Sequence, residues 1–148
     1  MALTSRLAAA EDGLLAAING RAALAAVPVE LGDPGAGVRD EHIWIAEEAT
    51  ADQVSDLSSQ YDPLGGREET FELNVRVMAT RSGNDYEALR NRSVELVTEV
   101  ETAVAEDRKL GGAVEDCEVR RIERGSGATE AGRLILTTVV VEARAWLA

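Results

Sequence analysis

The chain is predicted to be an α+β domain: one mixed or antiparallel sheet, two helices packed on one of its faces, and a long C-terminal β-hairpin. Three observations predict this. Phe71, Leu73, Val75 and Val77 alternate strictly with Glu72, Asn74 and Arg76 over residues 69–79, the pattern of a half-buried strand. An amphipathic helix follows, with Leu89, Ser93, Leu96, Val97, Val100 and Val104 on one side. Residues 132–147 (GRLILTTVVVEARAWL) then read as a single strand, far longer than the usual five or six residues and apolar on both faces at its centre.

Taken in order, the first element is a helix over about 3–26, because Leu3, Leu7, Ala10, Leu14 and Ile18 recur at spacings of three and four. Thr4 or Ser5 is placed to cap it, and Gly20 and Pro28 end or kink it. Val27–Leu31 is extended, and Pro28 there marks an edge strand or a strand start. The Gly32–Gly37 cluster is turn chemistry. A short strand is expected over 41–46, with Ile43 and Ile45 opposite His42, Trp44 and Ala46.

Residues 47–67 are polar and acidic without a clean period and read as an insertion loop, of which Gln53–Leu57 could pair as a strand or make one helical turn. The second helix takes Asn84 as N-cap, with Asp85 and Glu87 near its positive end. Arg108 and Lys109 sit near its negative end, and Gly111 or Gly112 supplies a left-handed C-cap. Strands over 114–124 and 132–147 flank Gly125–Ala131, read as the hairpin loop, and the alternation slip between Val119 and Ile122 predicts a bulge.

Composition narrows the function classes. At 148 residues the chain is one domain over 1–148, large enough to fold without a disulfide or metal. The 27 acidic against 15 basic residues give a net charge of −12, with the arginines scattered among acids, which argues against nucleic-acid binding through a basic patch. The lone cysteine, Cys117, excludes an internal disulfide and fits a reducing cytoplasm. Glu11 and Asp12 interrupt the N-terminal apolar run, so it is expected to stay in the mature chain. No window is long and apolar enough for a membrane span.

Chemistry is sparse. His42, the sole histidine, stands beside Asp40 and Glu41, but one histidine without convergent ligands reads as a surface residue on a strand. Cys117 lies among Glu115, Asp116 and Glu118, which raise a thiol pKa, so it reads as structural. The pairs Glu47-Glu48 and Glu68-Glu69 point to opposite faces of a strand and read as solvated charge. Gly125-x-Gly127 lies between strands and matches no nucleotide fingerprint. Trp44 and Trp146 read as core or interface anchors. No catalytic residue, cofactor or metal is expected.

The order of elements resembles the tail terminator proteins of long-tailed bacteriophages, related to minor tail and head-tail joining components. The resemblance is carried by the Phe71–Met78 strand, the helix ending in Ala105-Glu106-Asp107-Arg108-Lys109-Leu110-Gly111-Gly112, and the charged strand leading through a glycine-rich hairpin into Leu134–Trp146. These cover about half the chain. The resemblance implies a virion protein of the tail or neck, assembled in the host cytoplasm as a homo-oligomeric ring, typically a hexamer. Such a ring stops polymerisation of the tail tube protein, meets the head connector or completion protein, and lets DNA pass through its lumen without specific binding.

Interaction residues are then expected in the two polar loops and at the terminal tryptophan: Asp62, Leu64 and Arg67 in the first, Ser126, Thr129 and Glu130 in the second, and Trp146. Two rival classes stand beside this one. The first is another neck or tail component, a tube subunit or head completion protein. The second is a small α+β enzyme or ligand-binding domain, which would need a pocket of convergent polar groups.

Overall fold

The computed structural model describes residues 5–37, 40–54, 67–129 and 132–147. Its elements are α1 (Leu7–Asn19), β1 (Val29–Leu31), β2 (Glu41–Val54), β3 (Arg67–Arg81), α2 (Tyr86–Glu106), β4 (Asp116–Thr129) and β5 (Gly132–Leu147). They form the predicted α+β fold. One five-stranded sheet has the order β1-β2-β3-β5-β4. It is mixed, because β1 runs parallel to β2 while every other neighbouring pair is antiparallel.

Both helices pack on the face that carries Ile43, Ile45, Phe71, Leu73, Val75 and Val77 from β2 and β3. β5 contributes Ile135, Val139, Val141 and Ala143 to the same core. From the helices come Ala10, Leu14 and Ile18 of α1 and the predicted α2 stripe, all buried. Turning this apolar surface away from water is the main drive for the two-layer arrangement.

The first helix is shorter than its periodicity predicts. α1 begins after Arg6 and ends at Asn19, and a separate 3-10 turn spans Ala22–Leu24, because Asn19-Gly20 is poor helix and Gly20 closes the last turn with its N–H on Ala16 O. Ser5 Oγ accepts from Leu7 N at 3.0 Å, and Glu69 Oε1 accepts from Arg6 N at 2.6 Å, so a carboxylate from β3 also meets the helix start. Thr4 lies outside the described residues.

β2 is more than twice the expected length. It continues from Ala46 through Val54, so the first part of the supposed insertion loop is strand, and residues 55–66 lie outside the described residues. The reason is a register shift between Ile45 and Ala49, which breaks the alternation while β3 goes on pairing with the chain. β3 likewise extends to Arg67–Arg81.

At α2 the N-cap is Asp85, whose Oδ1 accepts from Ala88 N at 3.0 Å, in place of Asn84. The helix stops at Glu106, with Asp107 as C-cap. Gly111 and Gly112 take positive φ as predicted, but within a following 3-10 turn over Leu110–Gly112.

The bulge in β4 falls between Val119 and Arg121, as predicted. The hairpin loop does not. β4 runs on to Thr129, paired with Gly132, so Gly125–Thr129 is strand; Glu130 and Ala131 lie outside the described residues. A long β5 offers a backbone partner to any sequence, glycine included, and ladder hydrogen bonds do not depend on side chains. At Gly132 the chain has φ +144, and a Cβ there would stand 2.1 Å from Arg81 O, so only glycine lets β5 start this close to the end of β3.

Candidate interaction surface

The register separates the predicted interaction residues into two groups. Arg67 opens β3 opposite Leu147, and exposed Trp146 faces Glu68 across the same end of the sheet. Ser126, exposed and paired with Ile135, and Thr129, which closes β4, stand at the other end, where Arg81 of β3 faces Arg133. Some fifteen residues of β3 lie between, roughly 50 Å at strand rise. Asp62, Leu64 and Glu130 lie outside the described residues. The sheet therefore holds Arg67 and Trp146 apart from Ser126 and Thr129, at opposite ends of its strands.

The second face of the sheet carries neither helix. From β2 and β3 it presents Asp52, Glu68 and Glu72 against Arg76; from β4 and β5 it presents Asp116, Glu118, Glu123 and Glu142 against Arg120, Arg121 and Arg144. The surface is net acidic. Cross-strand pairs lie along it: Arg120 reaches Glu142 at 3.7 Å and Arg144 reaches Glu68 at 3.9 Å, while Arg76 donates to Thr138 Oγ1 at 2.7 Å. Exposed pairs of this kind contribute at most about 1 kcal/mol each. They order the side chains more than they hold the fold.

Two expected surface residues are buried. His42 is only 2% exposed: its ring meets Trp44 edge-on with centroids 6.0 Å apart, and Nε2 stands 3.2 Å from Glu30 Oε2 of β1. The short strand β1, placed beside β2 by tertiary pairing, brings that carboxylate to it. Glu69 is fully buried on the core face, where it receives Arg6 N and Gln53 Nε2. It is in phase with Phe71 and Leu73, so the alternation that marks β3 also marked Glu69 as inward; a hydrophobic reading passes over it because the residue is charged.

Cys117 is buried, and burial first, with Asp116 second, pushes its thiol up to about 11. That is the opposite of nucleophile activation. Beside it, the Arg108 guanidinium donates two hydrogen bonds of 2.8 Å to Asp116 and holds that carboxyl below its ordinary range. The ion pair thus contributes stability above the unfolded pKa of Asp116, lost as pH falls through the folded one, and screening keeps it small.

A cleft of about 890 Å3 is lined by Pro28, Asp40, Glu41, Thr80, Arg81 and Arg92 among others. Its central charge is spent internally: Arg92 donates to both oxygens of Glu41 and, at 3.0 Å, to Glu95, which raises the guanidinium pKa. Among the described residues no group of three or more His, Cys, Asp or Glu could hold a metal ion, and no helix is long and apolar enough to cross a membrane.

No family model matches the chain, and no curated protein does. Among solved structures, a chain described as part of the virion of a native gene transfer agent (GTA) particle is similar to this one, with a TM-score of 0.49 and 13% identity over 88% of this chain and 90% of that one. A likeness at that level does not assign a role.

Proposed function

We propose that this protein is a structural subunit of a tail or neck assembly that works as a ring, in the manner of a tail terminator: it caps a protein tube at one rim and meets a connector at the other. The observation that carries the reading is the one-sided sheet, with both helices on one face and a net-acidic array of charged side chains on the other. Arranged around a lumen with helices outward, that surface repels phosphate and lets a polyanion pass without gripping it. The separation of Arg67 and Trp146 from Ser126 and Thr129, at opposite ends of the strands, supports two rims with different partners. The mechanism is geometric and needs no bond-making step.

The test is the mass of the purified protein in solution by light scattering, with and without added tube protein. A ring of about six copies, formed alone or on the tube, is the expected result. A strict monomer or compact dimer indifferent to tube protein overturns the reading, and open-ended filaments of the pure protein replace it with a tube-subunit role.

A further inference from the structure

We propose that a second copy of this chain docks edge to edge with the first, its β1 pairing antiparallel with β4, so that the sheet continues from subunit to subunit. This deepens the ring reading and rests on it. β1 and β4 are the outermost strands of the sheet. Ile43 N donates to Pro28 O and Gly32 N donates to Ile45 O, so alternate peptide groups of β1 turn toward β2 and those of Val29 and Leu31 face outward. Outer edges of this kind are normally covered or paired.

Side-chain exposure marks the same two edges. Four large apolar side chains are exposed among the described residues, and three lie here: Leu31 at 50% on β1, Ile122 at 45% on β4 and Val94 at 51% on α2. Val94 stands two turns before Glu101, which lines a groove with Val119, so it lies on the side of α2 that overhangs β4. Charge names the occupant. In a strongly acidic chain, residues 120–124 of β4 carry three arginines to one glutamate, all exposed, whereas residues 29–33 carry Glu30 and Asp33 and no base. The two edges lie on opposite sides of one sheet, so they meet only between copies, head to tail, which is the contact that closes rings.

The register selects the stagger. Across the sheet Leu31 is level with Ile45, Val75, Val139 and Ile122, and Glu30 is level with Trp44, Arg76, Thr138 and Glu123. Copies with no offset join Leu31 to Ile122 but set Glu30 against Glu123. A slip of one residue turns every side chain to the other face. A slip of two, about 7 Å, sets Val29 against Ile122 and Glu30 against Arg121. Because the bulge skips Arg120, the same slip sets Leu31 against Val119, and all three pairs match in kind. Two residues in the opposite sense would put Leu31 against Arg124. β1 runs antiparallel to β4 within the sheet, as neighbours related by a ring axis require.

Cross-linking and charge exchange test the interface. Within one chain Val29 and Ile122 lie four strand spacings apart, about 19 Å, too far for a disulfide. On oxidation V29C/I122C is therefore expected to give a ladder of covalent oligomers ending at the ring number, and V29C/R124C, the pair with no offset, to give none. Linking by the second pair in place of the first overturns the register. R121E and E30R are each expected to stay folded by circular dichroism and to weaken self-association roughly tenfold by light scattering, and E30R/R121E to restore it. R121E and the cysteine pairs decide the matter even if E30R, which removes the carboxylate beside His42, fails to fold. Wild-type assembly that shows no V29C/I122C ladder and ignores R121E overturns this interface while leaving the ring reading standing. A wild-type chain that never assembles, with tube protein or without, overturns both.

Discussion

The two tryptophans show how far residue type alone is from role. Trp44 and Trp146 belong to β2 and β5, the two long strands that flank β3, yet Trp44 is 8% exposed and Trp146 58%. W44A is expected to lose about 3–5 kcal/mol of unfolding free energy in urea titrations, whereas W146A stays within about 0.5 kcal/mol of wild type. Equal losses would contradict the burial described above. Cys117 gives a second prediction at this scale. With its thiol at about 11, roughly one molecule in a thousand carries thiolate at pH 8, so iodoacetamide is expected to label the native protein far more slowly than the urea-unfolded one. Equal rates in the two states would refute a buried, proton-bound thiol. Both chemistry and burial of Cys117 were legible from its acidic neighbours and strand phase; the burial of His42 was not, since Glu30 reaches it only after β1 has joined the sheet.

Element boundaries follow contacts made far along the chain. α1 lies against the Leu110–Gly112 turn so closely that a Cβ on Gly13 would stand 2.3 Å from Leu110 O. An exposed helical Gly→Ala change gains about 1 kcal/mol of helix propensity. Here the clash is with backbone, and G13A is expected to lower the melting temperature; an increase would mean that α1 is free to shift. The same dependence explains the misplaced ends of β2 and β4. Alternation located the central strand to within a few residues because one of its faces is wet. It failed over 47–54, where a bulge resets the phase, and over Gly125–Thr129, where the side chains are small and only the partner strand makes a strand of the segment.

At the scale of the whole molecule, the chain's periodicities determined the class of fold, the inward face of the sheet and the long final strand. These depend on local repeats and composition, which a sequence states directly. Only the tertiary structure decided the strand order, the parallel placement of β1 and the separation of Arg67 and Trp146 from Ser126 and Thr129 to opposite ends. It also placed the arginines of β4 and Glu30 of β1 at opposite edges of one sheet. Those are relations between segments distant in the chain, set by which backbone edges pair. Backbone pairing is nearly blind to side-chain identity, so no local pattern of residues could have announced it.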